Sequence, residues 1–490
     1  MIEVELKFQI PEARRAALLK AVDPKKSETL QLQAKYFDTT DRLLSQHGVA
    51  IRQRLEGTRW IQTLKAAGKS HLHRFEHNYA LSADDFDTNT QQPRLNLEIY
   101  TEIPEAAALL NNALGTTTDL ALQFETDIQR TLRVITYEEA EIEVCVDVGE
   151  VRTHDKAQPI HEVEFELKSG TVENLLAFSF EWVKKYQLWL DVRSKAEFGH
   201  LLISDLAVSP ATYEKELILA KKESAETTIR ALIAHQMNHL LPNIAAISAQ
   251  VAEPAHIEQA HQALAHLYLT LSLLRDWTSK GVDKWAHQLA AFKSNFEQLK
   301  HVEHMQSTLA SLLQNPKTAE SLSKDVLYAK EKLNNLVKST QNVQHYLELL
   351  MFSLGHSKRT QSQDLKTYAQ NTLQNQYKAL QESLSQADIV DFDSLDQLAL
   401  RLNEMKFIFP ILTQVFDVKN LQKYGKALND AQHAAEQYQI LAACSSYLQQ
   451  TELEASDWFT LGWLTAKQEV YAEKLLDATE QFMVSRKFLK

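Results

Sequence analysis

The sequence predicts an α+β chain, an N-terminal eight-stranded antiparallel β-barrel with flanking helices followed by an all-α helical bundle. Three observations carry this. Seven of the eleven glycines (Gly48, Gly57, Gly68, Gly115, Gly149, Gly170, Gly199) fall within the first 200 of 490 residues. Glycine marks turns and is disfavoured inside helices. From Glu214 onward, apolar residues recur at helical spacing over long stretches, the pattern of packed bundles. The front part instead alternates charged and apolar residues, beginning with Glu3-Val4-Glu5-Leu6-Lys7. A strand sends successive side chains to opposite faces, so Glu3, Glu5 and Lys7 form one charged row.

In chain order, Pro11 opens a short helix over 11–21. Strand candidates follow at 34–39, ending in an Asp38-Thr39 turn, at 50–55, where Arg52 and Arg54 share a face, and at 60–65, ending on Lys65. Residues 74–79 alternate again, with Arg74 and Glu76 together. A polar loop (82–97) and a short helix (105–114) precede strands at 124–135, with Arg130 and Arg133, and at 140–148, with Glu141, Glu143, Cys145 and Asp147 on one parity. Residues 161–168 repeat the opening pattern, placing Glu162, Glu164 and Glu166 on one face; an amphipathic helix over 172–186 and Ser194-Lys195 close the module.

About eight such strands, apolar on one face and charged on the other, have one economical closed form: a barrel with helices outside and the charges in its lumen. Unpaired buried charge is expensive. Divalent cations on the carboxylates and an anionic ligand on the bases satisfy both sets.

Composition narrows the class. Apolar content of 44% and charged content of 24% are those of a soluble globular protein. Residues 1–200 carry 24 Lys+Arg against 32 Asp+Glu, and residues 201–490 carry 28 against 32. Neither part has the basic excess of a non-specific nucleic-acid binder, so any polyanion site is local. The two cysteines, Cys145 and Cys444, read as buried thiols of a reducing compartment. With no signal-peptide core in residues 1–20 and no long apolar run to span a membrane, the expected location is cytoplasmic.

The ordered set of front-half residues resembles the CYTH domains, also called triphosphate tunnel metalloenzymes. Their opening ExExK signature matches Glu3, Glu5 and Lys7. Later motifs match Tyr36-Phe37-Asp38-Thr39, Arg52/Arg54, Lys65, Arg74/Glu76, Arg130 after Thr126-Asp127, Asp147-Val148-Gly149, the Glu162/Glu164/Glu166 strand and Ser194-Lys195. The resemblance implies a tunnel that hydrolyses inorganic triphosphate with Mg2+ or Mn2+. It implies metal ligands Glu3, Glu5, Glu162, Glu164 and Glu166, phosphate-binding Lys7, Arg52, Arg54, Lys65, Arg74, Arg130 and Lys195, and catalytic roles for Glu5, Lys65 and Lys7. The general base stays open between a metal-bound hydroxide, a tunnel glutamate and a neutral Lys65. Other readings of the same fold are an adenylyl cyclase, a thiamine triphosphatase, and a non-catalytic polyphosphate clamp. Beside these, Tyr36 and Phe37 read as packing, Asp38 as a turn cap, Arg133 and Arg152 as surface charges, and Glu76, Glu143 and Asp147 as partners that orient arginines.

The domain boundaries expected are 1–204 for the tunnel, 205–215 for a linker and 216–490 for the helices. Helical stretches are expected at 225–251, 255–278, 282–313, 322–354, 365–384, 395–416, 421–448 and 458–489, with Pro242, Pro254, Pro316 and Pro410 kinking or ending them. This half resembles a CHAD domain, an all-α module associated with polyphosphate. His261 and Gln262 fit its signature helix, but Leu264 and Tyr268 stand where arginines are expected. Of the later basic helix only Arg401 and Lys406 remain, with Asp396 where a histidine is usual. Losing those cations removes charge-assisted phosphate contacts, so polyphosphate binding by this half is not the expected activity. The pairs His235/His239 and His301/His304 read as core or surface histidines, since a metal needs more ligands.

Overall fold

The computed structural model describes residues 2–484 except 24, 91, 118, 221–222, 313–315, 356–364, 417–420 and 451–452. The expected helix ends at Leu313 and at 485–489 lie outside the described residues.

Strands β1 (Ile2–Gln9), β2 (Glu28–Asp38), β3 (Val49–Glu56), β4 (Arg59–Ala67), β5 (His73–Ala80), β6 (Ala121–Tyr137), β7 (Ala140–Arg152) and β8 (Ala157–Ser169) pair antiparallel in the order β5-β4-β3-β2-β6-β7-β8-β1. A β1–β5 pairing closes the ring, giving the expected eight-stranded barrel. The two-residue β9 (Trp189–Leu190) joins β1 beyond the point where β5 leaves it. β2 begins six residues earlier than the sequence suggests, because Thr29, Gln31 and Gln33 face outward beside Leu30 and Leu32 and mask the apolar signal.

The alternation sorts the barrel wall. Outward residues of β1 and β8 meet the helix Val172–Tyr186, where the Phe8 and Phe165 rings lie 5.4 Å apart and Phe165 reaches Phe178 at 5.2 Å. Val49, Ile51, Leu64 and Phe75 face outward on β3–β5 and pack with Tyr100 and the helix Pro104–Leu114. At one end of the lumen the inward parity turns apolar. There Leu32, Tyr36, Phe124, Ile128, Val151 and Ile160 gather around Phe198 of the helix Lys195–Ile203. That helix sits tight on β6, since a Cβ on Gly199 would stand 2.2 Å from the Phe124 ring.

The chain divides into two compact units. The first comprises Met1–Tyr213, Met237–Ala260 and Leu336–Gly355; the second comprises Glu214–Gln236, His261–Asn335 and His356–Lys490. In the first, Gln344 of the helix Thr340–Leu354 donates to the Phe180 carbonyl at 3.4 Å. The second is helical along Asp283–Leu309, Pro316–Val337, Leu365–Gln386, Phe392–Phe416, Leu421–Gln449 and Ala455–Val484.

Two helix expectations change. The stretch 322–354 is two helices, broken at Ser339, whose hydroxyl caps the second by accepting from Asn342 N. Pro254 and Pro316 begin helices instead of ending them, as suits a residue whose missing N–H is not needed in the first turn. Pro242 and Pro410 lie inside helices. Among the described residues no helix is long and apolar enough to cross a membrane.

Candidate active site

Register assembles the site. Pairing of β1 with β8 sets Glu5 beside Glu166 and Lys7 beside Glu164, while β6 and β7 set Arg130 beside Asp147. Pairing of β4 with β5 sets Lys65 beside Glu76. All of these side chains share the inward parity.

On one side of the lumen, Glu3 accepts from Lys65 Nζ at 2.7 Å, and Glu5 forms an ion pair with Arg74, 2.9 Å from its Nε. Lys65 also stands 3.2 Å from Glu76, and Arg52 stands 3.9 Å from it. Burial raises the Glu3 carboxyl to about 8 against the pull of Lys65, helped by Glu5 and by a hydrogen bond to Glu76. Burial opposes ionisation of Glu76 too, but Lys65, the Glu3 hydrogen bond and Arg52 outweigh it and lower its pKa. Glu3 therefore keeps a proton at neutral pH and shares it with an ionised Glu76. Lys65 loses more to burial than to any other single influence, yet Glu5 and Glu3 together hold it above its ordinary value. It is a cation here.

Opposite, Lys195 reaches Asp147 at 2.8 Å and Glu164 at 2.7 Å and also pairs with Glu162. Arg130 grips both Asp147 oxygens at 2.7 and 2.6 Å and contacts Glu164 at 2.5 Å. Burial works against the Glu164 charge, but Lys195 and Arg130 hold the carboxyl well below the usual range. For Glu162 burial prevails and raises the pKa. Asp147, Glu162 and Glu164 bring ligand atoms within 4.8 Å of one another. Glu162 Oε2 is buried without a hydrogen bond; Lys7 Nζ lies 3.9 Å away. Such a set of hard oxygens suits a hard divalent cation. Glu166 is drawn aside to Lys168 at 2.8 Å, which also binds Glu143 at 3.1 Å.

The cations also cluster. Burial, with Arg52 and Arg130 nearby, lowers Arg54 to about 10. Arg54 pairs with Glu56, and Arg52 donates to the Tyr36 hydroxyl at 3.4 Å. Nε of Arg52 and Nε of Arg54 are buried and make no hydrogen bond. Like charges packed with unmet donors form a receptor for an anion.

The structure thus gathers Glu3, Glu5, Lys7, Arg52, Arg54, Lys65, Arg74, Arg130, Glu162, Glu164, Glu166 and Lys195 around one lumen, with Glu166 held toward Lys168. Asp38 caps its turn by accepting from the Thr39, Leu44 and Ser45 N–H groups. Tyr36 stacks on Phe124 at 4.6 Å, yet its hydroxyl faces Arg52, which packing alone did not predict. Sequence reasoning passed over Asp191 and Arg193, whose ion pair lies beside β1. Their Asp-Val-Arg spacing just before Ser194-Lys195 was the available signal.

The model of the CYTH domain matches residues 1–197. An inorganic triphosphatase of Haemophilus influenzae is 32% identical over 178 residues, which are 36% of this chain and 47% of that protein. The match thus spans about half of that relative's length. Among solved structures, the CHAD domain from Ricinus communis is 14% identical, with a TM-score of 0.46 over 57% of this chain and 98% of its own. A candidate adenylyl cyclase from Hippeastrum with a dominant triphosphatase activity is 16% identical, with a TM-score of 0.29 over 42% of this chain and 97% of its own.

Proposed function

We propose that this chain hydrolyses inorganic triphosphate to pyrophosphate and phosphate within the CYTH barrel. The observation that carries this is the pair of buried, unmet Arg52 and Arg54 Nε atoms in a lumen that also holds Asp147, Glu162 and Glu164. An anion on one set and a divalent cation on the other satisfies both. The likeness to the Haemophilus triphosphatase supports the choice of substrate.

Glu3 and Glu5 from β1 and Asp147, Glu162 and Glu164 from β7 and β8 would hold Mg2+ or Mn2+. Glu166 enters that set only if Lys168 releases it. When bound, the metal supplies a Lewis acid for phosphate oxygens. The chain's own cations do the rest. Arg52, Arg54 and Arg130 take up phosphate charge, with Lys7, Lys65, Arg74 and Lys195 around them. As a water oxygen bonds to the terminal phosphorus and gives up its proton to a base, the bridging P–O bond breaks and charge gathers on the departing pyrophosphate. Fixed cations lining the lumen stabilise that charge without reorganising, which is most of what phosphoryl transfer needs from a protein.

Phosphate release from triphosphate, ATP and thiamine triphosphate with Mg2+ or Mn2+ tests this. Fast release from triphosphate alone is expected. Cyclic AMP with pyrophosphate from ATP would replace the proposal with a cyclase. No turnover, with tight binding of long-chain polyphosphate, would replace it with a clamp.

A further inference from the structure

We infer that Asp191 is a positioning residue for two tunnel lysines, Lys7 and Lys195, an assignment that rests on the triphosphatase reading. Asp191 is fully buried. Its backbone N–H donates to the Lys7 carbonyl at 3.0 Å, where β9 hands the chain back to β1. Its Oδ1 accepts from Arg193 N at 3.1 Å and Arg193 Nε at 3.0 Å, and its Oδ2 accepts from Arg193 Nη2 at 2.8 Å and Gln9 Nε2 at 3.1 Å. Two of these five hydrogen bonds, to Lys7 and from Gln9, tie the segment before Ser194 to the strand that carries Lys7, and the other three lock Arg193 onto Asp191.

Both lysines depend on that segment. Arg193 lies 5.0 Å from the centre of the Phe198 ring, and Lys7 Nζ lies 5.9 Å from the same ring. Ser194 caps the helix Lys195–Ile203 by accepting from Glu197 N at 3.1 Å, so the position of residues 191–194 sets where the helix starts. Lys195 is its first residue, and it reaches Asp147 and Glu164 from there. Asp191 touches neither carboxylate. It acts through the strand and the helix start, and a shift of about 1 Å there is enough to degrade a phosphate contact.

Asp191→Asn keeps the shape but turns an amide N–H toward the Arg193 and Gln9 donors. Triphosphate KM is expected to rise about tenfold, with kcat changed less than about threefold, since substrate-holding cations are displaced while the carboxylates stay. A purely structural role would instead lower the folded fraction, so kcat per total protein would fall at unchanged KM; that result overturns the inference. Arg193→Gln breaks the same ion pair from its other side and carries the same expectation if Asp191→Asn does not fold. Failure of both variants to fold would also overturn it, by assigning the pair to stability. An inactive wild type would instead refute the triphosphatase reading, whereas an active wild type with unaltered variants refutes only the role of Asp191.

Discussion

Metal uptake should expel a proton from Glu3. In the metal-free protein this carboxyl has a pKa of about 8, raised chiefly by burial. At pH 7 it is therefore about nine-tenths protonated, and a cation that takes Glu3 as a ligand must displace that proton. Apparent metal affinity should then weaken about tenfold from pH 9 to pH 7 and about another tenfold by pH 6, levelling off above pH 8. Titrating Mn2+ calorimetrically at pH 7, in two buffers of different ionisation enthalpy, counts the proton directly; about 0.9 per site is expected. Glu3→Gln should lower the release by that amount, leaving only what Glu162, whose pKa is also raised, contributes. Binding of Mn2+ with no proton release at pH 7 would refute the reasoning, because either Glu3 is already ionised or the metal does not use it.

The same carboxyl bears on stability. The native state holds the Glu3 proton up to about pH 8, whereas the unfolded carboxyl loses it near its ordinary value of 4.5. The native state thus binds more protons between those values, and the Glu3 contribution falls as pH rises through the window, by at most about 1.4 kcal/mol per unit. Denaturant unfolding of the metal-free protein, wild type against Glu3→Gln, should show the wild type losing ground from pH 5 to pH 8; parallel curves would contradict it. Glu5→Ala should abolish metal-dependent turnover while circular dichroism and melting change little; full activity with Mg2+ would remove Glu5 from the metal set. Arg54→Ala should raise triphosphate KM about tenfold or more with a smaller change in kcat, since it removes a charge-assisted contact. Gly199→Ala forces a methyl into the Phe124 ring, with carbons at 2.2 Å, and should cost about 1–3 kcal/mol in unfolding free energy; an unchanged melting temperature would show that the helix Lys195–Ile203 shifts freely.

Much of the barrel is legible in the chain because strand periodicity is local. In β1, β3, β7 and β8, alternating charge and apolarity is enough to say which residues face inward. The helix Val172–Tyr186 follows from its own spacing and runs between the expected residues. Where local signal weakens, legibility fails. The start of β2 is hidden by outward glutamines, and the break at Ser339 is hidden by apolar residues that continue at helical spacing through it.

Parity and charge, both properties of the sequence, put Glu3, Glu5, Lys7 and the Glu162/Glu164/Glu166 row on walls of one lumen. Parity cannot say which acid meets which base, because that depends on register between strands far apart in the chain. Only the folded barrel sets Asp147 in the grip of Arg130 and Lys195, draws Glu166 toward Lys168, and leaves the Arg52 and Arg54 Nε atoms unmet. Burial is the largest cause that raises Glu3 to about 8, and desolvation depends on what the fold packs around a carboxyl, which the sequence does not show.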